Sequence, residues 1–110
     1  MKVKCFFLAL TLCASANAEF KDGNKLLADI NSSYIADNTA ALGYVMGVAD
    51  TTHGILHCGP PNATSGQIRD MVHNYLTNRP TERTKTGDEI VVHVLRTMWP
   101  CQNKSKGQSL

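Results

Sequence analysis

The chain has 110 residues, enough for one small domain. Two of its 11 Lys and Arg residues, Lys2 and Lys4, lie in the first 18 residues, so the remainder carries 9 basic and 9 acidic side chains. This balance argues against a nucleic-acid partner, because such binding depends on an excess of Lys and Arg facing phosphates. The aromatic content of 6% also leaves few side chains for stacking on bases. Since no apolar run reaches the ~18 residues of a membrane-spanning helix, we expect no membrane insertion.

The start of the chain has the order of features found in export signals. A positively charged start precedes the apolar run CFFLALTLC, and Ala16-Asn17-Ala18 is a small-x-small cleavage pattern. We therefore predict a cleaved signal peptide over residues 1–18. The alternatives are a short buried N-terminal helix and a lipid anchor on Cys13, and Leu12 directly before that cysteine disfavours the anchor.

Removal of the signal peptide leaves two cysteines, Cys58 and Cys101. In a small exported domain two cysteines allow one intramolecular pairing, and we predict that disulfide. A bridge that closes about 43 residues stabilises by roughly 4 kcal/mol in the chain-entropy model. The alternatives are free thiols and a catalytic thiol, in which His57 would assist its neighbour Cys58.

Four segments of the mature chain have apolar residues at helical spacing. The first runs from Phe20 to Tyr34, and the second runs from Thr39 to about His57. Together with two later segments they predict an all-α fold, a small four-helix bundle braced by one disulfide, over residues 19–101.

The third and fourth segments have clear boundary signals. Thr64 with Gln67 forms a capping-box pattern before the third helix, and Pro80 ends it. Thr86 with Glu89 forms a second capping-box pattern before the fourth helix, which Pro100 ends. The polar residues 102–110 are expected to form a disordered tail.

The second predicted helix contains three glycines on one stripe, Gly43, Gly47 and Gly54. Because each glycine costs about 1 kcal/mol inside a helix, the stripe indicates that another helix approaches closely. The approaching helix is expected to come from the same chain, and a second copy of the chain is the alternative. Leu56 is among the residues of this helix that we expect to be buried.

Residues with catalytic or metal-binding chemistry are few. His53 and His57 are four apart, a spacing that allows two ligands on one helix face, but the sequence supplies no third ligand at a recognisable spacing. Histidines at a helix end are the simpler interpretation, so we predict no metal, no cofactor and no catalytic residue.

A long polar connection joins the third and fourth predicted helices. It spans residues 78–88 and carries Arg79, Arg83 and Lys85 beside Glu82. Its length exceeds what two packed helices require for closure. It is either a solvated connection or a polar finger that the bundle presents to a partner.

Seven short motifs are distributed over most of the mature chain. They are Asp22-Gly-Asn-x-Leu26, Leu42-Gly-Tyr-Val-x-Gly-Val-Ala-Asp50, Cys58-Gly-Pro-x-x-Ala-Thr64, Gln67-x-x-x-x-Val72-x-x-Tyr75-Leu76, Arg79-Pro80, Ile90-Val91 and Trp99-Pro100-Cys101. In this order they resemble the Rap/Tai family of type VI secretion immunity proteins. The resemblance implies a non-catalytic periplasmic homodimer that inhibits a peptidoglycan amidase delivered by neighbouring cells.

Two other functions remain open from the sequence. One is a periplasmic helical binding or chaperone-like module without toxin specificity, and the other is a small secreted enzyme that uses Cys58 or the histidine pair. For the inhibitor, we expect toxin contacts on the polar connection and on the helix before it. The expected contact residues are Asn74, Asn78, Arg79, Thr81, Glu82, Arg83, Thr84 and Lys85. An amidase of this kind is expected to have an open groove that binds the peptide stem of peptidoglycan, which carries carboxylates. Glu82 is expected to imitate the acidic group of this stem, and Arg79, Arg83 and Lys85 are expected to pair with acidic residues at the rim of the amidase groove.

Overall fold

The computed structural model describes residues 20–102 of the chain, so the predicted signal peptide and residues 103–110 of the predicted tail lie outside the described residues. The described part contains four α-helices and a single 3₁₀ turn. These are α1 (Gly23–Asn31), α2 (Ile35–Thr52), α3 (Ser65–Asn78), the turn Pro80–Glu82, and α4 (Gly87–Met98). The all-α prediction is confirmed, and none of these helices is long and apolar enough to cross a membrane.

All four helices contribute apolar side chains to one core. Helix α2 packs against each of the other three. The buried apolar residues are Leu26, Ala41, Val45, Ala49, Ile68, Val72, Leu76, Ile90, Val91, Val94 and Leu95. In α2, α3 and α4 these residues recur at spacings of three or four, which places them on one face of each helix, and Leu26 is the buried apolar side chain of α1.

The boundary between the first two helices differs from the prediction. Helix α1 ends at Asn31 instead of continuing to Tyr34, and α2 begins at Ile35 instead of Thr39. The side-chain amide of Asn38 donates to three backbone carbonyls at the end of α1, at 2.9, 3.2 and 3.0 Å. The Asp29 carbonyl also accepts from the Ser32 N–H at 3.3 Å. The amide therefore caps the end of α1 together with this bond and links it to the first turn of α2.

The prediction that α2 continues to His57 and buries Leu56 is wrong. Helix α2 ends at Thr52, and Gly54 adopts a left-handed conformation with φ of +83°. The chain then turns, leaving Leu56 39% exposed and burying His57, which is 3% exposed. The His57 ring can occupy this position because its Nε2 donates to the Ala49 carbonyl at 2.9 Å.

The expected packing of an intrachain helix on the glycine stripe is also wrong. Among residues 20–102, a Cβ atom added at Gly43 or Gly47 meets nothing within 4 Å, and Gly54 lies outside the helix. Helix α2 therefore exposes a face of small residues, which includes Ala36 and Ala40.

The predicted disulfide is confirmed. Cys58 is bonded to Cys101, with their Cα atoms 4.8 Å apart. Beside it, the backbone N–H of Cys58 donates to the Trp99 carbonyl at 2.8 Å. The bridge joins the α2–α3 turn to the end of α4, and the alternative of a catalytic Cys58 thiol is wrong because that sulfur is in the disulfide.

Candidate functional site

The end of α3 exposes two of the predicted contact residues. The predicted capping box starts this helix as expected, because the Thr64 hydroxyl accepts from the Gln67 N–H at 3.1 Å and the Gln67 side chain accepts from the Thr64 N–H at 2.8 Å. Ile68, Val72 and Leu76 then face the core, and Asn74 and Asn78 are exposed.

The connection after α3, residues 79–86, is not a detached finger. The N–H of Asn24 donates to the Arg83 carbonyl at 3.0 Å, and the N–H of Gly23 donates to the Lys85 carbonyl at 2.9 Å. Directly after the connection, the N–H of Gly87 donates to the Lys21 carbonyl at 2.7 Å. The connection therefore lies against the start of α1 and is held there by backbone hydrogen bonds.

This docking requires a glycine at position 23. A Cβ atom there would lie 2.6 Å from Cδ1 of Ile90 and 2.8 Å from the Arg83 carbonyl oxygen. The Asp22-Gly-Asn motif thus has two local functions. Asp22 caps α1 by accepting from the Lys25 N–H at 2.9 Å, and Gly23 permits the close approach of the connection.

The Arg83 side chain points back to the end of α3. Its Nε donates to the Leu76 carbonyl at 2.7 Å and its Nη2 donates to the Thr77 carbonyl at 3.1 Å. The last carbonyls of a helix have no intrahelical partner and carry partial negative charge, so a guanidinium there is stabilising. Arg83 is therefore a capping residue for α3 in this structure, and its contact with a toxin stays a prediction.

Glu82 and Lys85 form a surface ion pair within the connection. The Lys85 ammonium lies 2.6 Å from the Glu82 carboxylate. The hydrogen bond and charge of Lys85 lower the pKa of Glu82, and the same contacts raise the pKa of Lys85. A partner consequently meets these two side chains as a neutralised pair.

The second predicted capping box does not form. Thr86 is the N-cap residue of α4, but its side chain makes no capping hydrogen bond. Instead, Asp22 and Thr86 form an isolated antiparallel β-bridge between the start of α1 and the start of α4. The segment before α1 therefore supplies a backbone acceptor for the start of α4, since the Lys21 carbonyl accepts from the Gly87 N–H. The sequence alone predicts that a local side-chain cap satisfies the start of this helix.

The remaining predicted contact residues are free to meet a partner. Asn74, Asn78, Arg79, Thr81 and Thr84 are all exposed. The Arg79 guanidinium lies 4.7 Å from the centre of the Tyr75 ring. Within residues 20–102, Arg79 has no ion pair, in contrast to Lys85.

A groove between α3 and α4 begins at these residues. We call it the α3–α4 groove; its volume is about 300 Å³. It is lined by Met71, Asn74, Tyr75, Asn78, Arg79, His93, Val94, Thr97 and Met98. Sequence reasoning identified Asn74, Asn78 and Arg79 but missed its apolar wall. The available signal was the excess of apolar residues in the fourth helix, which one core-facing stripe cannot bury completely.

The histidine pair lies at a different cavity, on the turn after α2. His57 contacts the Ala49 carbonyl, and the His53 Nε2 lies 2.9 Å from the Gly59 carbonyl, so both rings stabilise the turn. Among residues 20–102, no three His, Cys, Asp or Glu side chains are grouped as metal ligands.

An ion-pair cluster around the buried Asp29 supports the start of the bundle. Asp29 is 5% exposed and lies 2.7 Å from the Lys21 ammonium and 2.9 Å from that of Lys25. Burial raises the pKa of Asp29, but the hydrogen bonds and charges of the two lysines together outweigh it, so the pKa lies below its ordinary value. The cluster ties α1 to the segment that holds the connection.

Comparison with known proteins identifies one family. The family model of the Rap1a immunity proteins matches residues 10–101, which include all four helices and both bonded cysteines. A search of curated protein sequences finds no match.

Proposed function

Because the chain belongs to the Rap1a immunity proteins, a family of type VI secretion immunity proteins, we propose that it inhibits a peptidoglycan amidase toxin in the periplasm. In this proposal the protein acts by binding and has no catalytic function of its own. The end of α3 and the connection 79–86 cover the catalytic groove of the toxin.

The observation that carries this assignment of the surface is the way in which the connection is held. Backbone hydrogen bonds from Gly23 and Asn24, together with the Arg83 cap, fix its conformation. A surface that is ordered before binding loses little conformational entropy on association. The polar side chains of Thr81 and Thr84 are therefore displayed in a preformed arrangement.

The chemistry of this surface suits a groove built for a peptide stem. Such a groove has polar groups that bind amides and carboxylates of the stem. Asn74 and Asn78 offer both donors and acceptors, and Arg79 offers a guanidinium. Glu82 meets the toxin as part of its ion pair with Lys85. The proposed inhibition therefore does not require Glu82 to act as an isolated carboxylate that imitates the peptide stem.

The proposal is tested with the effector encoded beside the immunity gene. Purified wild-type protein should inhibit the hydrolysis of peptidoglycan by this effector. Thr81→Tyr and Thr84→Tyr, which add bulk at exposed positions, should weaken inhibition at least tenfold, or about 1.4 kcal/mol. Ser65→Tyr, at the opposite end of α3, is the matched control.

Two results would contradict the proposal. An effector that does not hydrolyse peptidoglycan would reject the amidase assignment. Tyrosine variants that inhibit like the wild type, with unchanged melting temperatures, would show that the interface lies elsewhere on the protein.

We also propose that the protein is a homodimer. The resemblance to the Rap/Tai family implies a dimer, and within the described residues 20–102 nothing packs on the small-residue face of α2 at Gly43 or Gly47. Each of these glycines costs about 1 kcal/mol in the helix without compensation inside the described chain. Packing of a second copy on this face would supply the compensation, because small residues allow close approach of backbones.

Sedimentation at micromolar concentration tests the homodimer. The wild type should sediment as a dimer, Gly47→Arg should shift it to monomer, and Ala28→Arg on the exposed side of α1 should leave it dimeric. A wild type that sediments only as a monomer would reject the proposal.

A further inference from the structure

We propose that the α3–α4 groove receives a short segment of the toxin in which an apolar side chain lies next to a carboxylate. This inference rests on the proposed function and adds the chemistry of the toxin segment that is recognised. The apolar side chain lies against the methionines of the groove, and the carboxylate pairs with Arg79.

The apolar wall of the groove is partly exposed although it continues the core-facing stripe of α4. Val94 is buried, whereas Met98, one turn later, is 53% exposed and lines the groove with Met71. Methionine is flexible and polarisable, so it adapts to the shape of an incoming side chain. The exposed Met98 and the half-buried Met71 therefore form an apolar wall that an incoming apolar side chain can contact.

The size of the groove favours side chains of a protein partner. Its volume of about 300 Å³ is at the lower end of the ~300–1,000 Å³ range of pockets that enclose small molecules. The groove also opens along two helices, and Asn74 and Asn78 line it at a spacing of one helical turn. Their amides are placed to donate to and accept from the backbone of a bound segment.

The charge of the groove specifies an acidic neighbour for the apolar side chain. Arg79 is the only Lys or Arg among the lining residues, and none of them is Asp or Glu. Glu82 and Glu89 line a separate cavity on the other edge of Tyr75 and His93.

The guanidinium of Arg79 is positioned in advance. It lies 4.7 Å from the Tyr75 ring centre, and it has no ion pair within residues 20–102. The other two basic residues of the connection are occupied, since Arg83 caps α3 and Lys85 pairs with Glu82. A stacked guanidinium binds a carboxylate through two parallel hydrogen bonds, and Tyr and Arg are the residues enriched at interface hot spots.

Binding of the effector encoded beside the immunity gene, measured by calorimetry, tests the groove. Met98→Glu places a negative charge where the apolar side chain and carboxylate are expected, and it should weaken binding at least thirtyfold. Ile55→Glu is the matched control, because it also replaces a large exposed apolar residue but lies on the turn after α2. Arg79→Gln should weaken binding at least tenfold, with Arg96→Gln on the exposed side of α4 as its control.

A photocrosslinker identifies the occupant. In Met98→p-benzoylphenylalanine, irradiation of the complex should join position 98 to an effector peptide that has an apolar residue adjacent to Asp or Glu. A crosslink to a second copy of this chain, or to an effector peptide without an acidic residue, would overturn the inference.

The two proposals fail in different ways. If Met98→Glu and Arg79→Gln, like their two controls, leave the affinity for the effector unchanged, the groove inference is wrong even when peptidoglycan hydrolysis is inhibited. If the effector binds through the groove but does not hydrolyse peptidoglycan, the amidase assignment fails and the groove inference stands. Absence of binding by the wild type would overturn both.

Discussion

Substitution of Arg83 separates the two interpretations of the polar connection. In the structure its guanidinium caps α3 through two carbonyls, whereas a detached polar finger would leave it in solvent. Arg83→Met keeps the apolar stem of the side chain and removes only the guanidinium. The variant therefore reports the contribution of the hydrogen bonds and charge to folding.

The expected magnitude follows from the two hydrogen bonds. The bond to the Leu76 carbonyl, at 2.7 Å, is partly buried, and the bond to the Thr77 carbonyl, at 3.1 Å, is exposed. A hydrogen bond from a charged donor is worth about 1.5–3 kcal/mol, and water replaces most of the exposed bond. Arg83→Met should therefore lower the free energy of unfolding by about 2 kcal/mol. For a domain of this size that corresponds to roughly 8–16 °C in Tm.

Urea denaturation followed by circular dichroism measures this loss. Arg96→Met is the matched control, since Arg96 is exposed and makes no hydrogen bond or ion pair within residues 20–102. It should change the free energy of unfolding by less than about 0.5 kcal/mol. An equally small effect of Arg83→Met would refute the capping role and favour the solvated finger.

Three further predictions concern stability. The double variant Cys58→Ser/Cys101→Ser should lower the free energy of unfolding by about 4 kcal/mol in urea, because the bridge closes 43 residues; a loss below about 1 kcal/mol would contradict this. Because the folded pKa of Asp29 lies below its unfolded value of ~3.9, its contribution is present above that value and is lost as the pH falls through the folded pKa. Melting temperatures between pH 6 and pH 3 should thus fall more steeply for the wild type than for Asp29→Asn, and parallel curves would be inconsistent with the ion-pair cluster. Thr64→Ala should cost about 1 kcal/mol through loss of the capping box, and Ser65→Ala, which leaves the cap intact, is the control for the urea curves.

The placement of the proposed toxin-contact residues was predictable only in part, and their contact with a toxin stays a prediction. Polarity and position identified Asn74, Asn78 and Arg79, because an exposed residue of an amphipathic helix is recognisable from its neighbours. The same reasoning grouped Arg83 with Arg79. Their separation into a helix cap and an unpaired guanidinium depends on where the chain turns after Pro80, which no local pattern specifies.

By itself, the sequence determined the presence of four helices, the capping box of α3 and the pairing of two cysteines. These features depend on spacing of three or four residues, or on the number of cysteines in the mature chain. The tertiary structure alone decided the docking of the connection on α1, the burial of His57 instead of Leu56 and the open face at Gly43. The physical reason is that each of these features depends on the presence or absence of atoms from another segment of the chain. Gly23 and Arg83, for example, meet across 60 positions of sequence, a contact that neither neighbourhood encodes.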